Sequence, residues 1–311
     1  NMIVSTILVF SFFGLMACGG DGGSGGERPA SELSGFAVDA QIVGGTINVF
    51  AFNNGVKGGH LGSATTDDKG FYSLNIQSPD QYILIELTNG SYTEEASGVN
   101  VTLKPRDILR AVTYYKSGLP VSLMVTPYTN IMVGVMNYTL GQGFVLEQAV
   151  PAASSAISAM AGVDILTTEP HNITDIANAE TNFTPELIYG FMTAAISSWT
   201  AEVSHLNGSD AHSIWNSITF AQVMYRDIFE DGALDGKGID PLTKEKVDLG
   251  LGLVLIDANT YRSTLAKHLM LMVGSPLNKT GITVDPAVPA ARRLSLMGHR
   301  LFGNVAPALF D

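Results

Sequence analysis

The chain has little cysteine, few charged side chains and fewer bases than acids. Cys18 is the only cysteine among 311 residues, so no disulfide can form within the chain. Lysine and arginine number 17 against 29 aspartates and glutamates, which gives a formal net charge of −12. Nucleic-acid binding depends on basic side chains that neutralise phosphates, so this acidic balance argues against nucleic acid as a partner.

The sequence also lacks the common catalytic motifs. No nucleophile elbow joins a predicted strand to a predicted helix, and no His-Glu-x-x-His pair or glycine-rich phosphate loop is present. Six histidines are scattered along the chain: His60, His171, His205, His212, His268 and His299. Facing helices could bring His205 and His212 to one metal ion, but isolated histidines at helix ends are the simpler interpretation. We therefore predict no catalytic residue and no cofactor.

An apolar run precedes the single cysteine. Met2–Ala17 is mostly apolar, and Gly19–Gly26 contains six glycines. The run is shorter than the ~20 apolar residues that a membrane-spanning helix needs, and it suits the core of a signal peptide. The segment Leu15-Met16-Ala17-Cys18 resembles the lipobox of bacterial lipoproteins.

This resemblance implies a lipidated N-terminus. Lipoproteins are cut just before the lipobox cysteine, whose thiol is diacylated, so residues 1–17 are the expected signal peptide and Cys18 the lipidation site. The expected partner is a membrane, which the protein reaches through its lipid. In enteric lipoproteins, Asp directly after the cysteine retains the protein in the inner membrane. Because Gly19 occupies that position, we expect the outer membrane, on its periplasmic or its external side.

Two further segments follow the cysteine. Residues 18–34 are rich in glycine and lack hydrophobic periodicity, which predicts a flexible tether. Residues 35–118 predict a β domain of short strands separated by turns. Ile47, Val49 and Ala51, for example, alternate with residues that would face the opposite side of a strand.

Part of this segment resembles a known fold. The residues Gly35-x-x-x-Asp39, Ile47-x-Val49-Phe50 and Thr65-Thr66-Asp67-x-x-Gly70-x-Tyr72-x-Leu74 are similar to carboxypeptidase-regulatory-like and Cna-B-like domains. The resemblance implies a prealbumin-type β-sandwich, a fold found in stalks, spacers and binding modules. Asp67 is expected to cap a turn in which Gly70 has positive φ. Some Cna-B-like domains contain a Lys–Asn isopeptide bond; we expect none here, because Lys57 and Lys69 fall in turn-rich segments.

Residues 119–311 predict an α-helical bundle. Thr126 and Thr184 are suitable N-caps, and each precedes a proline suited to the first helical position. The six candidate helices are 126–140, 146–160, 184–205, 212–229, 259–273 and 287–301. The predicted fold class is therefore α+β with more than one domain. The order of the two domains resembles a group of uncharacterised bacterial envelope proteins.

Two acidic segments are candidate sites. Asp227, Asp231 and Asp235 alternate with glycines that allow tight turns, and oxygen ligands of this kind suit calcium. Their spacing differs from an EF-hand loop, and the alternative is that Gly232 ends a helix while the aspartates stabilise turns. The adjacent acids Glu94 and Glu95 predict a solvated turn after a strand.

Aromatic residues provide a third candidate. Phe50, Phe52, Tyr114 and Tyr115 could stack on a sugar if exposed. Strand alternation predicts instead that half of them belong to the core and half to the surface.

These observations favour a non-enzymatic envelope lipoprotein that acts as a surface or periplasmic binding or adhesion module for a protein or glycan. One alternative is a hydrolase of envelope glycan or peptide with its site on the helical domain. Another is the N-terminal stalk of a longer surface protein with immunoglobulin-like repeats, because the sequence ends in the apolar segment Ala306–Asp311.

Overall fold

The computed structural model describes residues 29–175, 182–206, 210, 215–239, 246–248 and 260–296. Cys18, the predicted signal peptide and most of the predicted tether lie outside these residues. Within them the chain combines sheets with helices, so the protein belongs to the α+β class.

Eleven strands occur in the part of the chain that the structure describes. They are β1 (Ser31–Phe36), β2 (Thr46–Asn53), β3 (Val56–Thr65), β4 (Phe71–Ile76), β5 (Gln81–Thr88), β6 (Ser91–Thr93), β7 (Asn100–Thr102), β8 (Leu109–Tyr115), β9 (Val121–Ser122), β10 (Lys237–Ile239) and β11 (Lys246–Asp248). One sheet has the order β4-β1-β9 and a second the order β3-β2-β5-β8. The pairs β6-β7 and β10-β11 form short hairpins.

The two larger sheets pack face to face. Leu33 and Tyr72 of the first sheet belong to the same buried cluster as Ile47 and Ile85 of the second. On β2 the predicted alternation is confirmed, because Ile47, Val49 and Ala51 are buried while their neighbours Thr46, Asn48 and Phe50 are only half-buried. Burial of one face of each sheet is the main stabilising contribution to this half of the protein.

The turn between β3 and β4 has the predicted chemistry. Asp67 Oδ1 accepts the N–H groups of Lys69 at 2.9 Å and Phe71 at 2.8 Å, and Gly70 has φ 78°. Tyr72 then points into the core, where its hydroxyl donates to the Leu123 carbonyl at 2.6 Å.

Strand β3 was not predicted. Lys57 was expected in a turn-rich segment, but it lies on β3 and pairs with Phe52 of β2. The glycines of this strand hid it, because glycine is disfavoured in strands. The edge position of β3 and its pairing with β2 override that weak preference. Strand β1 begins at Ser31, within the segment that was predicted to be a tether.

Six helices occur in the described residues. They are α1 (Pro127–Gly141), α2 (Leu146–Ala161), α3 (Pro185–Leu206), α4 (Ser217–Asp231), α5 (Tyr261–Val273) and α6 (Val284–Leu296). None of them is both long enough and apolar enough to cross a membrane. The predicted cap of α1 is confirmed, since Thr126 Oγ1 accepts the Thr129 N–H at 3.2 Å and Pro127 is the first helical residue.

Two helices differ from their predicted limits. Helix α4 begins at Ser217 after the N-cap Asn216, whereas the predicted start, His212, lies outside the described residues. Helix α6 begins at Val284 and so includes Pro286 in its first turn, where a missing N–H costs nothing.

The helices pack on the second sheet. Phe52, Leu84 and Val112 from three of its strands belong to the buried cluster that contains Tyr128 and Ile131 of α1. In the opposite direction, Ile218 and Ala221 of α4 join the buried cluster between the sheets. The apolar core is therefore continuous between the strands and the helices.

Candidate functional site

Three carboxylic acids lie buried where the strands meet the helices. Asp39 lies between β1 and β2, and Glu94 and Glu95 directly follow β6. Their exposed fractions are 0%, 0% and 2%, respectively. A buried carboxylate is costly unless hydrogen bonds or opposite charges stabilise it, so this acid cluster (Asp39, Glu94 and Glu95) requires a specific environment.

Glu94 accepts hydrogen bonds from three elements. Its Oε1 accepts the Tyr92 hydroxyl at 2.7 Å and the Ser217 N–H at 2.8 Å. Its Oε2 accepts the Ser197 hydroxyl at 2.6 Å and also the Ser217 hydroxyl. These donors lie on β6, on α3 and in the first turn of α4, where an acid is favoured by the helix dipole. Glu94 therefore joins the strand layer to two helices.

Asp39 and Glu95 have fewer donors. Glu95 Oε1 accepts the Ala40 N–H at 2.9 Å, whereas Glu95 Oε2 and both oxygens of Asp39 have no hydrogen-bond partner. The hydroxyls of Tyr92 and Thr193 lie nearby, but they donate their protons to Glu94 and to the Gly190 carbonyl.

The pKa values of these two groups follow from their surroundings. Burial, followed by the charge of Glu94, raises the pKa of Glu95 to about 8. Burial and then the charges of Glu94 and Glu95 raise the pKa of Asp39 well above its ordinary value.

The prediction that Glu94 and Glu95 lie in a solvated turn was wrong. The chain does turn there, since the Gly98 N–H donates to the Glu94 carbonyl at 2.8 Å. Both side chains nevertheless lie on the buried side of that turn. Only packing against α3 and α4 creates this environment, and no local pattern in the sequence indicates it.

A serine, a histidine and a glutamate meet between α3 and α5. Ser198 Oγ lies 2.9 Å from His268 Nδ1, and His268 Nε2 lies 2.7 Å from Glu202 Oε2. Lys267 Nζ contacts the same carboxylate oxygen at 2.8 Å. These four residues, with His205, Leu206 and Leu271, line a cleft of about 450 Å³. No sequence pattern predicts this group, because Ser198 and His268 are 70 residues apart.

This group has only part of the chemistry that acyl transfer needs. A serine next to a histidine is the usual activated nucleophile. Burial, however, lowers the pKa of His268 to about 4, although the Glu202 charge acts in the opposite direction. Ser198 also lies within α3, where backbone N–H groups bond to helix carbonyls and are not free to stabilise an oxyanion.

A second cleft, of about 350 Å³, lies beside α4. Its lining residues are Arg106, Trp215, Thr219, Gln222, Val223 and Arg226. Gln222 Nε2 donates to the carbonyls of Arg106 at 2.7 Å and Ile108 at 3.0 Å, which holds the loop before β8 against the helix. The Arg106 guanidinium suits an anionic group and the indole suits a flat ring. Arg226 Nε already contacts Glu230 Oε1 at 2.8 Å, and the protein as a whole is acidic.

The three aspartates of the predicted calcium loop form turn contacts. Each accepts a backbone N–H further along the chain: Asp227 from Gly236 at 2.9 Å, Asp231 from Ala233 at 3.0 Å and Asp235 from Lys237 at 3.1 Å. Gly232 ends α4 with φ 81°. Asp227 is fully buried, and this burial raises its pKa to about 7.

Histidine and acidic side chains are spread over the described ranges. No group of three His, Cys, Asp or Glu side chains there is placed to hold a metal ion. His205 is exposed at the end of α3, and its predicted partner His212 lies outside those ranges, as does His299. His60 Nε2 lies 2.8 Å from Ser63 Oγ on an exposed part of β3.

Two of the four candidate aromatics are buried and two are not, although alternation separates only Tyr114 from Tyr115, since Phe50 and Phe52 share a face of β2. Phe52 and Tyr115 are buried, Phe50 is half-buried and Tyr114 is exposed. Phe52 packs with the helices, whereas Phe50 faces Lys57 Nζ, which lies 4.6 Å from its ring centroid.

Comparisons with known proteins give little information. No protein-family model matches the chain, and no curated protein matches it. Among solved structures, a 9R-lipoxygenase from Cyanothece PCC8801 is similar with a TM-score of 0.21 and 13% sequence identity. The match covers 55% of this chain and 31% of the lipoxygenase chain, so this chain spans about a third of that structure's length. A similarity this low supports no inference about fold or function.

Proposed function

We propose that the protein is a lipid-anchored lipoprotein of a bacterial outer membrane that binds a protein or glycan ligand without catalysing a reaction. The observation that supports the binding role most directly is the cleft lined by Arg106, Trp215 and Arg226. A sugar ring with a carboxylate would stack on the indole of Trp215 and bond to the guanidinium group of Arg106. An acidic glycan is therefore the ligand class that the cleft suits best.

The anchor is proposed from the sequence. The lipobox-like segment Leu15–Cys18 supports lipidation of Cys18 after removal of residues 1–17. The Gly19–Gly26 segment would place the folded part at a distance from the bilayer. The finer fold is also a proposal: the two packed sheets would be a prealbumin-type sandwich and the helices a bundle, with the sequence motif around Asp67 as support.

Two experiments test these proposals separately. Cys18→Ser is expected to leave the precursor uncut or to release the protein from the membrane fraction, and mass spectrometry of the N-terminus measures the modification. An unmodified Cys18 in the mature wild-type protein would remove the anchor.

Ligand binding is tested by calorimetry with uronic-acid oligosaccharides and their neutral counterparts. Arg106→Ala and Trp215→Ala are expected to weaken binding of the acidic sugars at least tenfold, as loss of about 1.4 kcal/mol implies. Arg292→Ala, which removes an exposed guanidinium on α6, is the matched control and should bind normally. Equal loss in Arg106→Ala and Arg292→Ala, with normal binding by Trp215→Ala, would indicate non-specific charge attraction.

A hydrolytic function is favoured by one observation, the group formed by Ser198, His268 and Glu202. A fluorophosphonate probe tests it, because such probes label only activated serines. We expect no labelling. Labelling that Ser198→Ala abolishes and Ser154→Ala leaves intact would favour the hydrolase. The stalk alternative is tested by the full gene, in which further immunoglobulin-like repeats would support it.

Calcium binding by Asp227, Asp231 and Asp235 stays a prediction of the sequence. If the aspartates only stabilise turns, the melting temperature is the same in calcium and in chelator. A calcium-dependent rise that Asp231→Asn/Asp235→Asn removes would show that the loop is a metal site.

A further inference from the structure

The acid cluster combines complete burial with unsatisfied oxygens. Asp39 is 0% exposed and Glu95 is 2% exposed. Three of their four carboxyl oxygens, Asp39 Oδ1, Asp39 Oδ2 and Glu95 Oε2, have no hydrogen-bond partner. An ionised carboxylate in this position would lose its hydrating water without gaining hydrogen-bond donors, which costs on the order of several kcal/mol for each ion.

The charged and titratable groups that face these two side chains do not neutralise them. Asp39 faces Glu94 and Glu95 after β6, Tyr92 on β6 and, at greater distance, Tyr128 on α1. Glu95 faces Glu94, the Ala40 N–H and the Thr193 hydroxyl on α3. None of these described groups carries a positive charge.

Glu94 differs from its two neighbours. The Tyr92, Ser197 and Ser217 groups donate four hydrogen bonds to it, which suits the negatively charged form of a carboxyl group. A negative charge on Glu94 increases the cost of a second and a third charge beside it.

We propose that Asp39 and Glu95 form a proton-binding site, in which both carboxyl groups carry protons at neutral pH for as long as the strands stay packed on α3 and α4. A protonated carboxyl group is neutral, so protonation removes the repulsion from Glu94 and lowers the cost of burial. Loosening of this junction admits water, lets both groups ionise and releases two protons. The junction thereby becomes sensitive to alkaline pH.

A metal ion is the other means of balancing three buried acids. The described residues contain no three acidic or histidine side chains arranged to coordinate one. Protons require no such convergence of oxygens, since each carboxyl group binds its own proton. The geometry therefore favours protons.

The direction of the pH effect follows from linkage. In the unfolded chain the carboxyl groups of Asp39 and Glu95 ionise at about pH 4. In the folded protein the pKa of Glu95 is raised to about 8, and that of Asp39 is raised in the same direction. Retention of the two protons therefore stabilises the folded protein fully below about pH 4, and this stabilisation is lost as the pH rises to about 8. Over that range the folding constant falls about tenfold per pH unit for each retained proton.

The test compares urea unfolding of the wild-type chain and of Asp39→Asn/Glu95→Gln between pH 5 and 9, in chelator. The amides resemble the protonated acids, so the ratio of the two folding constants should change by tenfold to a hundredfold per pH unit up to about pH 8, in favour of the variant. Glu32→Gln/Asp68→Asn removes two exposed acids and is the matched control. Its ratio to wild type should stay constant with pH.

A constant ratio for Asp39→Asn/Glu95→Gln as well would overturn the proposal. So would a pH-dependent ratio that added calcium abolishes, because a cation would then balance the charge. If the double variant does not fold, infrared spectroscopy of Asp227→Asn replaces it, since this change removes a buried acid whose pKa is also raised, to about 7. A carbonyl band of protonated carboxylic acid is expected at pH 7, and its absence would refute the assignment.

Discussion

Replacing Glu94 by alanine tests whether this residue joins the strands to the helices. The substitution removes the acceptor of three hydroxyl groups and one N–H, all in buried surroundings. A buried donor without an acceptor costs about 1–3 kcal/mol. The hydroxyls of Tyr92, Ser197 and Ser217 can rotate toward other acceptors, whereas the Ser217 N–H is fixed by α4 and bears the full cost.

Loss of the Glu94 charge has an opposing effect, because it relieves repulsion within the acid cluster. We therefore expect Glu94→Ala to lower the free energy of unfolding by about 3–5 kcal/mol, near the lower end of what four orphaned donors would cost. Domains of ordinary stability have only about 5–15 kcal/mol in total, so the effect should be plain in urea unfolding followed by circular dichroism.

Two further variants separate the hydrogen bonds from other causes. Glu94→Gln keeps an oxygen for the Ser217 N–H, and its amide group can donate to hydroxyls that rotate to accept, so we expect a loss of about 1 kcal/mol. Glu32→Ala removes an exposed glutamate and should cost less than about 0.5 kcal/mol. A loss below about 1 kcal/mol for Glu94→Ala, or equal losses for alanine and glutamine, would contradict the role given to these hydrogen bonds.

Three other predictions follow from the packing and the charges. Gly134→Ala should lower the unfolding free energy by about 1 kcal/mol, because a Cβ there would lie 2.8 Å from the Tyr225 carbonyl oxygen. This clash outweighs the helix preference for alanine over glycine. Gly141→Ala is the control and should cost nothing, since its Cβ would enter open space. Asp227→Asn should melt at a higher temperature than wild type at pH 8 and not at pH 4, since the raised pKa of Asp227, about 7, means that its ionisation weakens the folded state as the pH rises. A fragment of residues 29–125 should show the circular dichroism of a β protein, and a helical spectrum would contradict the assignment. The fragment should also bind a hydrophobic dye more strongly than the full chain, because Phe52, Leu84 and Val112 lose their helix contacts.

Elements with strong local signals were predicted well. The alternation around Ile47 and Val49 is a property of adjacent residues, and so is the turn chemistry of Asp67 and Gly70. Helix α1 likewise carries its own start signal, Thr126 followed by proline. Each of these signals operates over a few residues, so it can be recognised before the tertiary structure is known.

The candidate sites could not be predicted in this way. Glu94 and Ser217 are 123 residues apart, and Ser198 and His268 are 70 residues apart. Neither pair has a characteristic spacing, because the contacts arise only when α3, α4 and α5 pack against their neighbours. Strand β3 was missed for a different reason: its glycines have a low strand preference, which pairing with β2 overrides.

The acid cluster also bears on whether the two predicted domains, residues 35–118 and 119–311, are independent. If the strands separated from the helices, Glu94 would lose Ser197 and Ser217, and water would reach all three acids. Solvated Asp39 and Glu95 would then ionise at neutral pH, which favours the separated state more strongly as the pH rises. The hydrogen bonds of Glu94 and the apolar contacts of Phe52, Leu84 and Val112 oppose this separation. The stability of the junction at a given pH is therefore the difference between these contacts and the cost of keeping two buried carboxyl groups protonated.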